Sequence, residues 1–129
     1  MHRSLRHTAL GALLALATAC AGKAATTRPR ASREEISLET IKERHFTNAW
    51  DAVQALHSNW LQTHGSDSFN TPTQVWVYVD NVKYGGVDRL RELPTTNIAY
   101  IRHYDGVAAT SRWGVGHGQG VIQISTQPH

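Results

Sequence analysis

Gln74-Val75-Trp76-Val77-Tyr78-Val79-Asp80-Asn81 is the stretch that decides the fold. Its first six residues are β-branched or aromatic apart from Gln74, and neither alternate set is polar. A strand apolar on both faces is expected to sit centrally in a sheet covered on two sides. Asp80-Asn81 reads as a turn, because Asn tolerates positive φ. Val82 to Tyr84 would then return as a short strand ended by Gly85-Gly86. Val87 to Leu93 is expected to form one helical turn before Pro94.

Further on, Ile98 to Tyr104 reads as a strand, Val107 to Trp113 as a short helix and Val121 to Thr126 as the last strand. Strand, helix and strand in that order suggest a right-handed crossover with parallel pairing. Gly114-Val115-Gly116-His117-Gly118-Gln119-Gly120 lies before the last strand. Its glycines alternate and it runs from helix to strand, the reverse of a phosphate loop, so it reads as a tight backbone path with positive φ.

Upstream, Phe46, Trp50, Val53, Leu56, His57, Trp60 and Leu61 recur at three- and four-residue steps. That spacing predicts a helix from Asn48 to about Thr63, capped by Asn48, with Asp51 near its positive end. His64-Gly65 would close it, and Gly65 to Thr73 is a loop by composition. Ser32-Arg33-Glu34-Glu35 has capping-box spacing, and Ile36, Leu38 and Ile41 follow as the apolar side of a partly helical element. The expected class is α/β (α+β), with three to four short strands and two or three helices in one domain over residues 34–127.

The first thirty-three residues have another character. Arg3 and Arg6 precede a small, mostly apolar run from Ala9 to Ala19, too short to span a bilayer and patterned like a signal peptide. Cys20 is the one cysteine in 129 residues, so an exported chain offers it no internal disulfide partner. Residues 20–33, rich in Ala, Thr and Ser with Pro29, read as a disordered tether. The formal net charge of +3 arises here. Six of the thirteen Lys and Arg lie before Glu34, whereas all ten Asp and Glu lie from Glu34 onward. Basic charge therefore stands beside the membrane and the domain is mildly acidic, which removes the main support for nucleic-acid binding.

Ala17-Thr18-Ala19-Cys20-Ala21 resembles a bacterial lipobox, with Leu16 one place earlier than the usual Leu. That resemblance implies cleavage after residue 19 and a lipid, with acyl chains such as palmitate, on Cys20. Ala21 rather than Asp after the cysteine implies the periplasmic face of an outer membrane, in a Gram-negative type of envelope.

Val75 to Thr126 resembles the plug domain of TonB-dependent outer-membrane receptors, including the SusC-like branch. The parts are Val75 to Asn81, Ile98-Ala99-Tyr100-Ile101, Asp105-Gly106-Val107-Ala108-Ala109-Thr110, Trp113-Gly114 and Gly120-Val121-Ile122-Gln123-Ile124-Ser125-Thr126. Glu35-Ile36 and Asn48-Ala49-Trp50-Asp51-Ala52-Val53 are similar to the family's opening helices. Asn81 stands where the family usually has Gly, and Arg102 where an acid is common. The resemblance implies a plug-like domain standing alone as a lipoprotein, without the barrel.

Chemistry-bearing motifs are sparse. His57 and His64 would share a helix face but stand two turns apart, about 10 Å of rise, too far to chelate one ion. There is no HExxH, no His-x-His and no GxSxG. No catalytic residue, metal or cofactor is expected, and a non-enzymatic binding or accessory module is the leading expectation. Its partners would be the membrane, through the lipid, and an envelope protein, but not nucleic acid. Tyr84 with Gly85 and Gly86, and Trp113 with the glycine run through His117, pair an aromatic with adaptable backbone and are the candidate partner-binding residues. The alternative is a small periplasmic enzyme or metal-binding protein with a site assembled near His103, Asp105 and His117.

Overall fold

The computed structural model describes residues 33–66, 69–70 and 73–128. The expectations for the signal, the tether and Cys20 fall outside these residues. The class is α+β: five strands form one sheet in the order β1-β4-β5-β2-β3. These are β1 Glu35–Ser37, β2 Trp76–Val79, β3 Val82–Gly86, β4 Tyr100–Tyr104 and β5 Val121–Ser125. The α-helices are α1 Leu38–Arg44, α2 Ala49–His57 and α3 Gly106–Trp113. Short 3₁₀ turns cover Ser58–Leu61, Val87–Glu92 and Thr95–Asn97.

The strand read from Gln74 to Val79 is β2, Trp76–Val79, and lies centrally, between β5 and β3. Val77 faces Ile122 and Val79 faces Ile124 in the parallel β2–β5 ladder. Ile36, Ile101, Ile122, Ile124, Val75 and Val77 point to one face, where Ile41, Ala49, Ala52, Val53, Trp60 and Leu90 cover them. We call this the helical face. Alternate residues Tyr78 and Val121 point the other way and pack with Ala109 of α3, joined by the half-buried Trp76, Tyr104 and Trp113. Both sides of the sheet are therefore apolar at its centre, as the doubly apolar strand requires.

Asn48 caps α2 as expected, its side chain accepting from Asp51 N at 2.9 Å. The helix stops at His57 and tightens into the 3₁₀ turn, so His64 shares no helix face with His57. Asp80 and Asn81 both take positive φ (46° and 69°), the pattern of a two-residue hairpin turn that matches strand twist. Gly85 and Gly86 continue β3 instead of ending it, because a bulge interrupts the ladder. Val77 pairs with Gly85 and Tyr78 with Lys83, which leaves Tyr84 as the extra residue.

Two further expectations are corrected. The segment after Glu34 is first a strand, paired antiparallel with β4, and only then a helix, capped by Ser37 at 3.3 Å from Thr40 N. This fifth strand exceeds the three or four expected. Secondly, β4 and β5, the strands around α3, pair antiparallel, with Tyr104 facing Val121. The connection thus leaves and returns at the same end of the sheet and is a helix-bearing hairpin. Glycines close its base: a Cβ on Gly106 would overlap the carbonyl oxygen of Gly118, and one on Gly120 would stand 2.6 Å from that of Tyr104. Gly114, Gly116 and Gly120 take φ of 89°, 92° and 95°, which bears out the tight backbone path read from the sequence.

Candidate functional site

The second face of the sheet is covered over only part of its area. Along β5 the residues facing this side are Val121, Gln123 and Ser125. Val121 lies beneath α3, whereas Gln123 and Ser125 continue beyond it as buried polar residues, 5% and 6% exposed, in an otherwise aliphatic strand. Next to them on β4 stand Arg102, paired with Gln123, and Tyr100, paired with Ser125. With Asp80, Asn81, Tyr104, Arg112 and Gln127 they line a groove of about 380 Å³.

Most polar groups here have internal partners. Gln123 donates from Nε2 to Asn81 Oδ1 at 3.0 Å. Arg102 donates from Nε to Glu35 at 2.9 Å, and a second guanidinium nitrogen pairs with the same carboxylate, holding the arginine's pKa above its usual value. Asp80 accepts from Thr126 N at 2.9 Å and from the Thr126 hydroxyl at 2.5 Å, and these bonds lower its pKa. Arg112 differs. It is exposed on the last turn of α3, and its guanidinium donates to Tyr104 Oη at 3.3 Å and Asn81 Oδ1 at 3.0 Å, both uncharged acceptors. Among the described residues it forms no ion pair.

The glycine run is anchored to the covered part of this face. Trp76 donates from its indole to Gly116 O at 2.9 Å. His117 bonds through Nδ1 to Gly114 O at 2.9 Å and through Nε2 to the Tyr78 hydroxyl at 2.8 Å. A carbonyl only accepts, so Nδ1 carries a proton, and in the neutral ring Nε2 then accepts from Tyr78. Burial raises the Tyr78 pKa, which keeps that hydroxyl a donor. Gln119 clamps the loop after α2, accepting from His64 N at 2.5 Å and donating to His64 O at 3.1 Å.

The sequence-predicted partner residues fall into two environments. Tyr84 is 40% exposed at the sheet edge, donates to Glu92 at 3.2 Å and has Arg89 over its ring. Trp113 is half-buried, 4.8 Å from the Tyr78 ring and edge-on to Tyr104 at 5.0 Å. His117 is buried, so its imidazole is a fastening of the loop and presents no contact surface. Trp76 stands between the segments, pairing with Gly86 in the ladder and holding Gly116, but the two aromatic rings turn to different neighbours.

The alternative site is not assembled. His103 and Asp105 line one cleft with Glu34 and Glu35, but the His103 ring stacks on Trp60 of the helical face, at 5.1 Å. His117 bonds Tyr78 on the opposite face. Among the described residues no group of three or more His, Cys, Asp or Glu could hold a metal ion. The groove residues Asn81, Arg112, Gln123 and Ser125 escaped the sequence reading. The available signal was polar Gln123 and Ser125 alternating with Ile122 and Ile124.

Compared with known proteins, the chain matches no family model. No curated protein matches it either. Among the described residues no helix is long and apolar enough to cross a membrane.

Proposed function

We propose that this protein is a non-enzymatic binding module, plug-like in fold and held by a lipid on Cys20 at the periplasmic face of an outer membrane, where it engages an envelope partner through the groove. The observation that carries the reading is the division of labour among the groove's polar groups. Asp80, Gln123 and Arg102 are engaged by Thr126, Asn81 and Glu35. Arg112 keeps donors beyond the two it gives to Tyr104 and Asn81. Fixed donors beside satisfied acceptors hold a visitor; they do not move its protons. The plug-like reading draws support from neighbourhood: the segments that carry the resemblance are β2, β4, α3 and β5, with β5 flanked by β4 and β2.

The test joins address to contact. A photoreactive side chain at exposed position 127, which lines the groove and takes part in it through its backbone oxygen, should cross-link an envelope component in intact cells when Cys20 is present. Cys20→Ser should move the protein from membrane to soluble fractions and abolish the cross-link. A wild-type protein that is soluble, with no lipid in its mass, would sink the reading.

A further inference from the structure

The groove has a chemistry more specific than binding in general. We propose that Arg112 makes it a receptor for an oxyanion, a carboxylate or a phosphate group, on whatever molecule the domain engages. The inference rests on the groove being the binding surface argued above, and concerns the chemistry of what enters it.

Geometry comes first. Arg112 leaves the last turn of α3 and crosses toward the β2–β3 turn, its guanidinium 5.3 Å from the Tyr104 ring and 5.0 Å from the Trp113 ring. Bonds to Tyr104 Oη and Asn81 Oδ1 fix one terminal nitrogen each. Asn81 sits in the β2–β3 turn and is itself held by Gln123 of β5, while Tyr104 lies on β4, so both sides of the clamp are tied to the sheet. A planar fork positioned in advance loses little entropy on meeting an oxyanion, and forms charge-assisted bonds roughly twice as strong as neutral ones.

Charge is the second consideration. Arg102 is paired with Glu35, and Asp80, the one acid lining this groove, stays anionic with both carboxylate oxygens turned to Thr126 rather than to Arg112. Arg112 is thus the cation lining this groove that pairs with no described carboxylate. The floor beside it is polar and uncharged, made by Gln123, bonded to Asn81, and Ser125, bonded to Gln127 O at 2.8 Å. Such a floor suits the polar body that carries the anionic group.

The experiment is a titration of the full chain in detergent, followed through the amide resonances of Asn81 and Gln123, which flank the guanidinium and are present in every variant. Inorganic phosphate and sodium acetate are the probes, at constant ionic strength maintained with chloride. Saturable movement with phosphate alone assigns a phosphate group, with acetate alone a carboxylate, and with both a general oxyanion site. Arg112→Gln should abolish saturation with an unchanged melt. Arg112→Lys keeps the charge without the fork and should weaken binding about tenfold or more. Arg89→Gln, which alters the exposed pair with Glu92, should bind as the parent does. Absence of saturation with either probe, or undiminished binding by Arg112→Gln, overturns the proposal. The membrane address would still stand or fall separately, by the fractionation of Cys20→Ser.

Discussion

Gly106 shows how much one missing carbon decides. It opens α3 directly after Asp105, whose carboxylate caps the helix by accepting from Ala108 N at 2.8 Å. The Gly118 carbonyl occupies the space a side chain would need. Gly106→Ala should therefore cost about 1–3 kcal/mol through overpacking, although alanine is the better helix former. An unchanged chemical-denaturation midpoint would mean that the glycine run yields freely. The two aromatics behave oppositely. Tyr84→Ala removes the extra residue's ring from a bulge at an edge and should leave stability within about 0.5 kcal/mol. Trp113→Ala removes contacts with Tyr78 and Tyr104 and should cost on the order of 2 kcal/mol. Comparable melting shifts for the two variants would contradict their assigned environments.

At the scale of elements, the periodic parts of the chain were legible and the closures were not. The doubly apolar run around Val77 announced a central strand, and the spacing of Trp50, Val53 and Leu56 announced α2. The short β1 was hidden because Ile36, Leu38 and Ile41 imitate a helix face, while only three residues pair with β4. The antiparallel turn of β4 into β5 was hidden for another reason. Its cause is the contact of Gly106 with Gly118 and of Gly120 with Tyr104, which joins positions that no local period connects. The groove was missed likewise, since Arg112 meets Asn81 across thirty-one residues of sequence. Where the strands were read correctly, a sharp consequence follows. Val77 and Ile124 are 0% and 1% exposed, in neighbouring strands of the helical core. Val77→Asp or Ile124→Asp buries a carboxylate without a partner and should cost several kcal/mol, out of a total typically about 5–15 kcal/mol. Thermal melts that scarcely move would refute the shared core.

For the whole molecule, the helical face carries an acid sensitivity that the groove face does not share. Trp60, buried at 3% exposure, lies parallel to His57 at 4.1 Å and to His103 at 5.1 Å, which ties α2 and its 3₁₀ turn to β4. Burial lowers the pKa of both histidines below the usual 6.5. For His103, Asp105 and Glu34 oppose that shift and the charge of His57 adds to it. His57 Nε2 is buried without a hydrogen-bond partner among the described residues, so a proton there finds no acceptor. The sign follows from linkage. In the window just below 6.5 the unfolded chain binds more protons than the folded one, so stability falls as the pH falls. The loss levels off once the pH passes below the lowered folded-state values. Asp80, held below the usual 3.8 by Thr126, adds a second loss that begins only in stronger acid. Melting temperature should thus be flat above neutrality, decline from about pH 6.5 downward, and decline again near pH 4. His57→Gln with His103→Gln should flatten the first decline and leave the second. Asp80→Asn should remove the second and leave the first, because Asp80 touches neither histidine. A double histidine variant that still loses stability between pH 7 and pH 5 as steeply as the parent would place the sensitivity elsewhere.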